Sequence, residues 1–163
     1  MQSTEQSSER FVILALRLSM AWIFLYAASH QVLVPGWSVA GFLKGTKTFN
    51  GLFAPLTGPG IAPVVSFLVS WGHLLIGLSL LSGLMVRASA TAGIAVMILY
   101  WMAHMDFPYI SDKNSLLVDF HIVYALVLLL LIVKRAGHFW GLDGSASKSE
   151  VVRGNRLLSW AIA

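Results

Sequence analysis

Cysteine is absent from the 163-residue chain, which excludes disulfides, thiolate nucleophiles, cysteine-ligated iron–sulfur clusters and the C-x-x-C-H haem attachment. Any redox chemistry then needs a bound cofactor or another chain. Charge is scarce as well: 11% of residues are Asp, Glu, Lys or Arg, against ~25% in an ordinary soluble domain. The formal charge of +4 comes from basic residues that flank apolar runs and form no patch with interleaved aromatics, so nucleic acid is not an expected partner. Walker, Rossmann, zinc-protease and nucleophile-elbow motifs are missing, and no internal repeat is visible.

What the chain has is apolar length. Hydrophobic residues make up 57%, and four runs, Phe11 to Val32, Ile61 to Met85, Ala88 to Ala103 and Leu116 to Val133, are each near the ~20 residues that cross a ~30 Å hydrocarbon core. The first ten residues, MQSTEQSSER, carry two Glu against one Arg and make a poor signal-peptide n-region. Although Ala27-Ala28-Ser29 resembles a small-residue cleavage site, the run is long, and a retained first helix is expected. If the N-terminus is cytoplasmic, the inner segments hold Arg10, Arg87, Lys134, Arg135, Lys148, Arg153 and Arg156, and the outer loops hold only Lys44, Lys47 and Lys113. That asymmetry favours both termini inside. The expected fold is all-α: an integral membrane four-helix bundle in the cell membrane, N-in/C-in, with a long outer loop between helices 1 and 2. Residues 1–10 form a polar tail, 11–137 the four-span membrane domain, and 138–163 a cytoplasmic tail. The closing VVRGNRLLSWAIA suits a short interfacial helix or a partner's dock.

Ionisable groups within spans are costly and usually face the bundle interior or a wet cavity. Arg17 lies roughly 9 Å inside the cytoplasmic boundary, where it either snorkels to the headgroups or turns inward to pair an acidic or carbonyl group. Trp22, Tyr26 and His30 recur four apart on one face of the first span; His30 is either an interfacial histidine in water or a ligand to a cofactor. Ser66, Ser70, His73 and Gly77 form a small and polar stripe, the expected packing seam of the second span. His73 is a packing histidine, a cofactor ligand or a proton relay. Tyr100 and His104 share a face, with Asp106 following. SDKN reads as the cap of the fourth helix, which then presents Asp119, His121 and Tyr124. Asp119 and His121, two apart, point about 200° from one another in a helix and are not expected to pair locally.

His30, His104, Asp106, Asp119 and His121 all fall in the outer third of the bundle, so an outer polar pocket is the expected site. His121, Asp119 and His104 are the candidate catalytic residues; His30, His73, Tyr100, Tyr124 and Arg17 are candidate cofactor-binding residues; no metal set is read. Titratable groups beside an apolar pocket suit quinone chemistry, which couples two protons to two electrons, whereas a histidine pair could ligate haem b. The connection from Val34 to Gly60 is long enough to have a role and could lie on the membrane or cap the pocket as a lid.

The runs LRLSMAWIFLYAASHQVLVPGWSVAGFL, WGHLLIGLSLLSGLMVRAS and DFHIVYALVLLLLIVKRAGHFWGLD resemble the DoxX/DoxD family of small four-helix membrane proteins. The most specific parts are the G-x-x-L-I-G-x-x-L-x-x-G-x-x-x-R pattern ending at Arg87, the D-x-H-I-x-Y-A-L run from Asp119 and the GLD ending at Asp143. Many relatives have Gly and Lys before the proline where this chain has Ser29-His30-Gln31. The resemblance implies a membrane subunit linked to sulfur oxidation, typified by thiosulfate:quinone oxidoreductase, with electrons passing to quinone. Three functions are expected in this order: a quinone-linked oxidoreductase subunit acting on thiosulfate or another sulfur compound, a non-catalytic anchor that recruits a redox partner subunit or forms a homo-oligomer, and a b-type haem electron relay.

Overall fold

The computed structural model describes residues 2–162, and the side chains of residues 5–162. It is mostly helical, and three helices are long and apolar enough to cross a membrane. Helix α1 (Gln2–Val32) runs through the polar N-terminal segment without a break, so residues expected as a tail continue the first helix. Two short helices, α2 (Ala40–Lys44) and α3 (Asn50–Phe53), and a 3-10 turn (Ala54–Thr57) occupy the long connection. Then come α4 (Ala62–Ser82) and α5 (Val86–His104), joined by a tight turn in which Gly83 and Met85 both take left-handed conformations. Such a short link makes α4 and α5 antiparallel neighbours.

After α5 the chain forms a small antiparallel sheet in the order β1 (Met105–Asp106), β2 (Tyr109–Ile110) and β3 (Asp112–Leu116). Here the sequence reading is corrected. SDKN does not cap a helix; Asp112 to Leu116 pair with β2 instead, and α6 (Phe120–Val133) begins only after Asp119. Its 14 residues fall short of the ~20 that span a bilayer unaided. Beyond α6 lie a 3-10 turn (Ala136–His138) and the short helices α7 (Asp143–Ala146), α8 (Glu150–Arg153) and α9 (Arg156–Ala161). The expected tail helix therefore exists as α9, and its Trp160 ring lies under Arg87, 5.7 Å from the guanidinium carbon. Met1 and Ala163 lie outside the described residues.

The closest helix pairs are α1 with α4 and α5 with α6. Phe24, Leu80, Ala90, Leu128 and Leu131 are fully buried where these pairs meet. The expected seam on α4 holds: Ser66, Ser70, His73 and Gly77 are all buried, and a Cβ added at Gly77 would fall 2.7 Å from Leu25 Cγ. Only glycine lets α1 come this close. Trp22 and Tyr26, by contrast, are exposed on the outer face of α1.

Arg17 settles its two readings in favour of the interior. It is 1% exposed and donates to the carbonyls of Ala136 (2.7 Å), Phe139 (3.2 Å) and Trp140 (2.9 Å). Nearby, Asp143 accepts the Met85 and Val86 amides (2.6 and 3.1 Å) and so caps α5. Burial pushes the Asp143 carboxyl above its ordinary range, opposed by those two amides and by the charge of Arg17. Gly83 and Gly141 lie in contact beside this pair, where a Cβ on Gly83 would sit 2.6 Å from the Gly141 Cα. Arg17 and Asp143 thus tie the chain after α6 to α1 and to the α4–α5 turn, at the end of the protein opposite the histidines described next.

Candidate functional site

At the other end, α4, α5 and α6 each contribute histidine to one cavity of about 340 Å3, and α1 and the long connection supply its remaining walls. His73, Tyr100, His104 and His121 line it together with Gln31, Trp37, Ser38 and Phe42. The rings touch in sequence. His73 stacks on Tyr100 (5.6 Å, 16°), Tyr100 lies 5.9 Å from His121, and His104 and His121 are 4.9 Å apart. Phe42 from α2 lies against Tyr100 and His104 at 5.8 and 4.8 Å, so the connection lines the pocket.

Each histidine is fixed in the same way. His73 Nδ1 donates to the Val69 carbonyl (2.7 Å), His104 Nδ1 to the Tyr100 carbonyl (2.8 Å) and His121 Nδ1 to the Asp119 carboxylate (2.6 Å). Carbonyl and carboxylate oxygens only accept, so every Nδ1 carries a proton. The three Nε2 atoms have no hydrogen-bond partner among the described residues, and each is an acceptor when its ring is neutral and a donor when it is charged. Gln31 lies beside the Tyr100 hydroxyl, and its Oε1 is buried without a donor.

Asp119 and His121 form the pair that helical geometry excluded. Asp119 precedes the helix with extended backbone (φ −134°, ψ −170°), so the angular rule for residues inside a helix does not apply to it. As the N-cap it accepts the His121 amide on Oδ1 (3.0 Å), which brings Oδ2 to the ring. Both side chains are at least 95% buried.

Four expected residues lie elsewhere. His30 is exposed, and its Nδ1 donates to the Tyr26 carbonyl (3.0 Å). Asp106 is exposed and paired with Lys47 (2.5 Å). Tyr124 packs against the apolar core beside Phe120, away from the cavity. Arg17 belongs to the opposite end. Conversely, Gln31, Trp37 and Ser38 were not singled out as site residues. Gln31 was noted at the end of the first span, and no local pattern distinguishes a lining amide or indole from an interfacial one.

The model of the family described as DoxX matches residues 12–105, more than half of the chain. The chain belongs to the DoxX family. With three helices of spanning length and composition, it is a membrane protein of that family. The matched segment of this DoxX protein contains Gln31, His73, Tyr100 and His104 and ends before Asp119 and His121. No curated protein and no solved structure matches it.

Proposed function

We propose that this DoxX protein is the membrane subunit of a quinone-linked oxidoreductase, with the quinone headgroup held among His73, Tyr100, His104 and His121. The observation that carries the reading is the pairing of two clefts. The histidine cavity shares Val39, Phe42 and Tyr100 with a second cleft of about 160 Å3 whose lining is wholly apolar, including Leu43, Phe53 and Val65. A headgroup with a prenyl chain has this division of polarity, and roughly 300–1,000 Å3 is usual for a ligand site. The polar set also fits: the Tyr100 hydroxyl and a charged imidazole at Nε2 donate to a quinone carbonyl, while neutral Nε2 atoms and Gln31 Oε1 accept from the quinol hydroxyls.

A quinone supplies acceptance of two electrons together with two protons. His121, charged beside the Asp119 carboxylate, then donates its Nε2 proton to the bound oxygen, and Asp119 keeps the ring oriented with Nδ1 protonated once that proton has left. His104, in ring contact with His121, is the next proton carrier. The electron donor in this reading is thiosulfate or another sulfur compound, as the family resemblance implies. In this reading the chain crosses the membrane four times with both termini cytoplasmic, α6 is the shortest crossing, and the cavity lies in the outer half of the bilayer.

A haem b held between His104 and His121 fits poorly. His104 and His121 touch ring to ring at 4.9 Å, which leaves no room for a macrocycle between two axial imidazoles. The anchor reading has an observation of its own in a groove between α4 and α5, where Gly72, Ser79, Ser82, Ala88, Ser89 and Ala92 lie among Leu75, Ile76, Leu78, Leu84 and Met85. Such small residues let another helix approach closely, so a partner subunit or second copy would seat there.

The test is turnover by purified protein given thiosulfate and a soluble quinone analogue, with organic extraction of any co-purified quinone. Reduction of the analogue and a stoichiometric extracted quinone support the reading. Neither result, in protein that is folded and complete, hands the function to the anchor.

A further inference from the structure

At the end opposite the histidine cavity, α1 and α6 leave their apolar stretches at the same level. In α1, Gln6, Glu9 and Arg10 give way to Phe11; in α6, Val133 is followed by Lys134 and Arg135. A cavity of about 380 Å3 lies between them, and Arg10, Lys134, Arg135 and His138 all line it, with Ile13 and Phe139 as apolar walls. Glu9, its one carboxylate, is taken by Lys134.

Two guanidinium groups therefore remain around one cavity without an anionic partner among the described residues. Arg10 lies over the Phe139 ring at 5.1 Å, a contact that leaves its N–H donors free. Arg135 takes a left-handed backbone conformation (φ 50°, ψ 50°) where α6 ends, which turns its side chain back toward His138. There Nη2 donates to His138 Nε2 (3.2 Å) and its other donors stay open. Since arginine cannot accept, His138 is held neutral with its proton on Nδ1. Facing cations in one cavity repel until an anion joins them, and the planar guanidinium fork matches phosphate oxygens.

Phosphate could arrive free or on a lipid, and the surroundings choose the lipid. Phe11 (65% exposed) and Val133 (68% exposed) flank the cavity with apolar surface facing outward, where the apolar stretches of α1 and α6 give way to charge. We propose that this cavity binds the phosphate of an anionic phospholipid of the inner leaflet, with Arg10 and Arg135 as its ligands and Phe11 and Val133 against its acyl chains. The site is separate from the histidine cavity and does not depend on what that cavity reduces.

The experiment uses the full chain in detergent, titrated with phosphatidylglycerol, phosphatidylcholine or inorganic phosphate, and read by thermal unfolding and by lipid retention in native mass spectrometry. Wild type should retain one phosphatidylglycerol, gain thermal stability from it, and respond to neither of the others. The double variant Arg10→Gln/Arg135→Gln should bind phosphatidylglycerol roughly tenfold or more weakly, and the double variant Lys44→Gln/Lys113→Gln, at the opposite end, should bind as wild type does. Equal retention of the two lipids by wild type, or equal loss in both double variants, overturns the proposal. A matching shift with inorganic phosphate overturns the lipid assignment. The wild-type lipid comparison decides the matter even if a variant fails to fold.

Discussion

Asp119 holds His121 by both carboxylate oxygens, Oδ1 on the backbone amide at 3.0 Å and Oδ2 on ring Nδ1 at 2.6 Å. The first contact starts the helix and the second fixes the tautomer, so one residue couples where α6 begins to which nitrogen faces the cavity. Moving the helix start by a turn would remove His121 from the site.

The first prediction tests that coupling. Asp119→Asn can keep the amide contact, but its second terminal atom cannot serve both as a carboxylate oxygen and as an NH2 group. An Asn NH2 turned to the ring donates to Nδ1, which leaves the ring neutral with its one proton on Nε2 and removes the carboxylate that stabilises the charged, proton-donating form. Quinone reduction should fall ~10²-fold or more in Asp119→Asn and in His121→Ala, the scale of a lost positioned proton carrier. Lys148→Ala, at the far end, should leave turnover unchanged. Full activity in both cavity variants, in protein that assembles normally, would remove His121 from the chemistry.

A second prediction concerns the α1–α4 contact. A Cβ at Gly77 meets Leu25 Cγ at 2.7 Å and the Leu25 amide nitrogen at 3.0 Å, so backbone as well as side chain resists. Gly77→Leu should lower stability in detergent by about 1–3 kcal/mol, the usual cost of overpacking. Leu75→Val, on an exposed position of the same helix, should cost much less. Comparable midpoints in thermal unfolding would mean that α1 and α4 separate readily here.

How much of this was legible in the sequence depends on the length of the regular element involved. The stripe of Ser66, Ser70, His73 and Gly77 was readable because α4 keeps its period through all four positions. Tyr100 and His104 were readable for the same reason. Asp119 and His121 straddle a helix boundary, and the boundary was misplaced because SDKN has good capping residues and yet pairs as β3. Tyr124 was misassigned with it, since sharing a face with His121 does not bring both side chains to the same cavity. His30 lies at the right depth on the wrong side of α1, a distinction that depth alone cannot make. The tie that Arg17 and Asp143 each make to the segment after α6 was half visible: Arg17 was read as a choice between interior and interface, whereas Asp143 appeared only as the end of a motif.

A third prediction follows from that tie. Arg17 satisfies three carbonyls of the segment after α6, and its removal strands them in a buried place. Arg17→Met should cost about 2–4 kcal/mol, the scale of breaking a buried charged network. Arg17→Lys should recover only part of that, since a single ammonium lacks the fork that reaches Ala136 and Trp140 together. Leu18→Ala, one position on and partly exposed, serves as the control. If Arg17→Met unfolds no earlier than Leu18→Ala, the segment after α6 is held by its apolar contacts alone.

The last prediction concerns orientation, on which the depth of both cavities rests. Basic residues number seven on the segments assigned to the cytoplasm and three on those assigned outside, and positive charge is retained inside. The native chain has no cysteine, so single introduced thiols report position without background. Lys113 in β3 and Ser145 in α7 are both exposed, and neither side chain makes a hydrogen bond or ion pair that the substitution would break. In intact cells a membrane-impermeant maleimide should label Lys113→Cys and spare Ser145→Cys, and permeabilisation should expose the second. The reverse pattern would put the histidine cavity on the cytoplasmic side, where Asp119 and His121 would draw protons from the cytoplasm, and the Arg10–Arg135 cavity would face the outer leaflet.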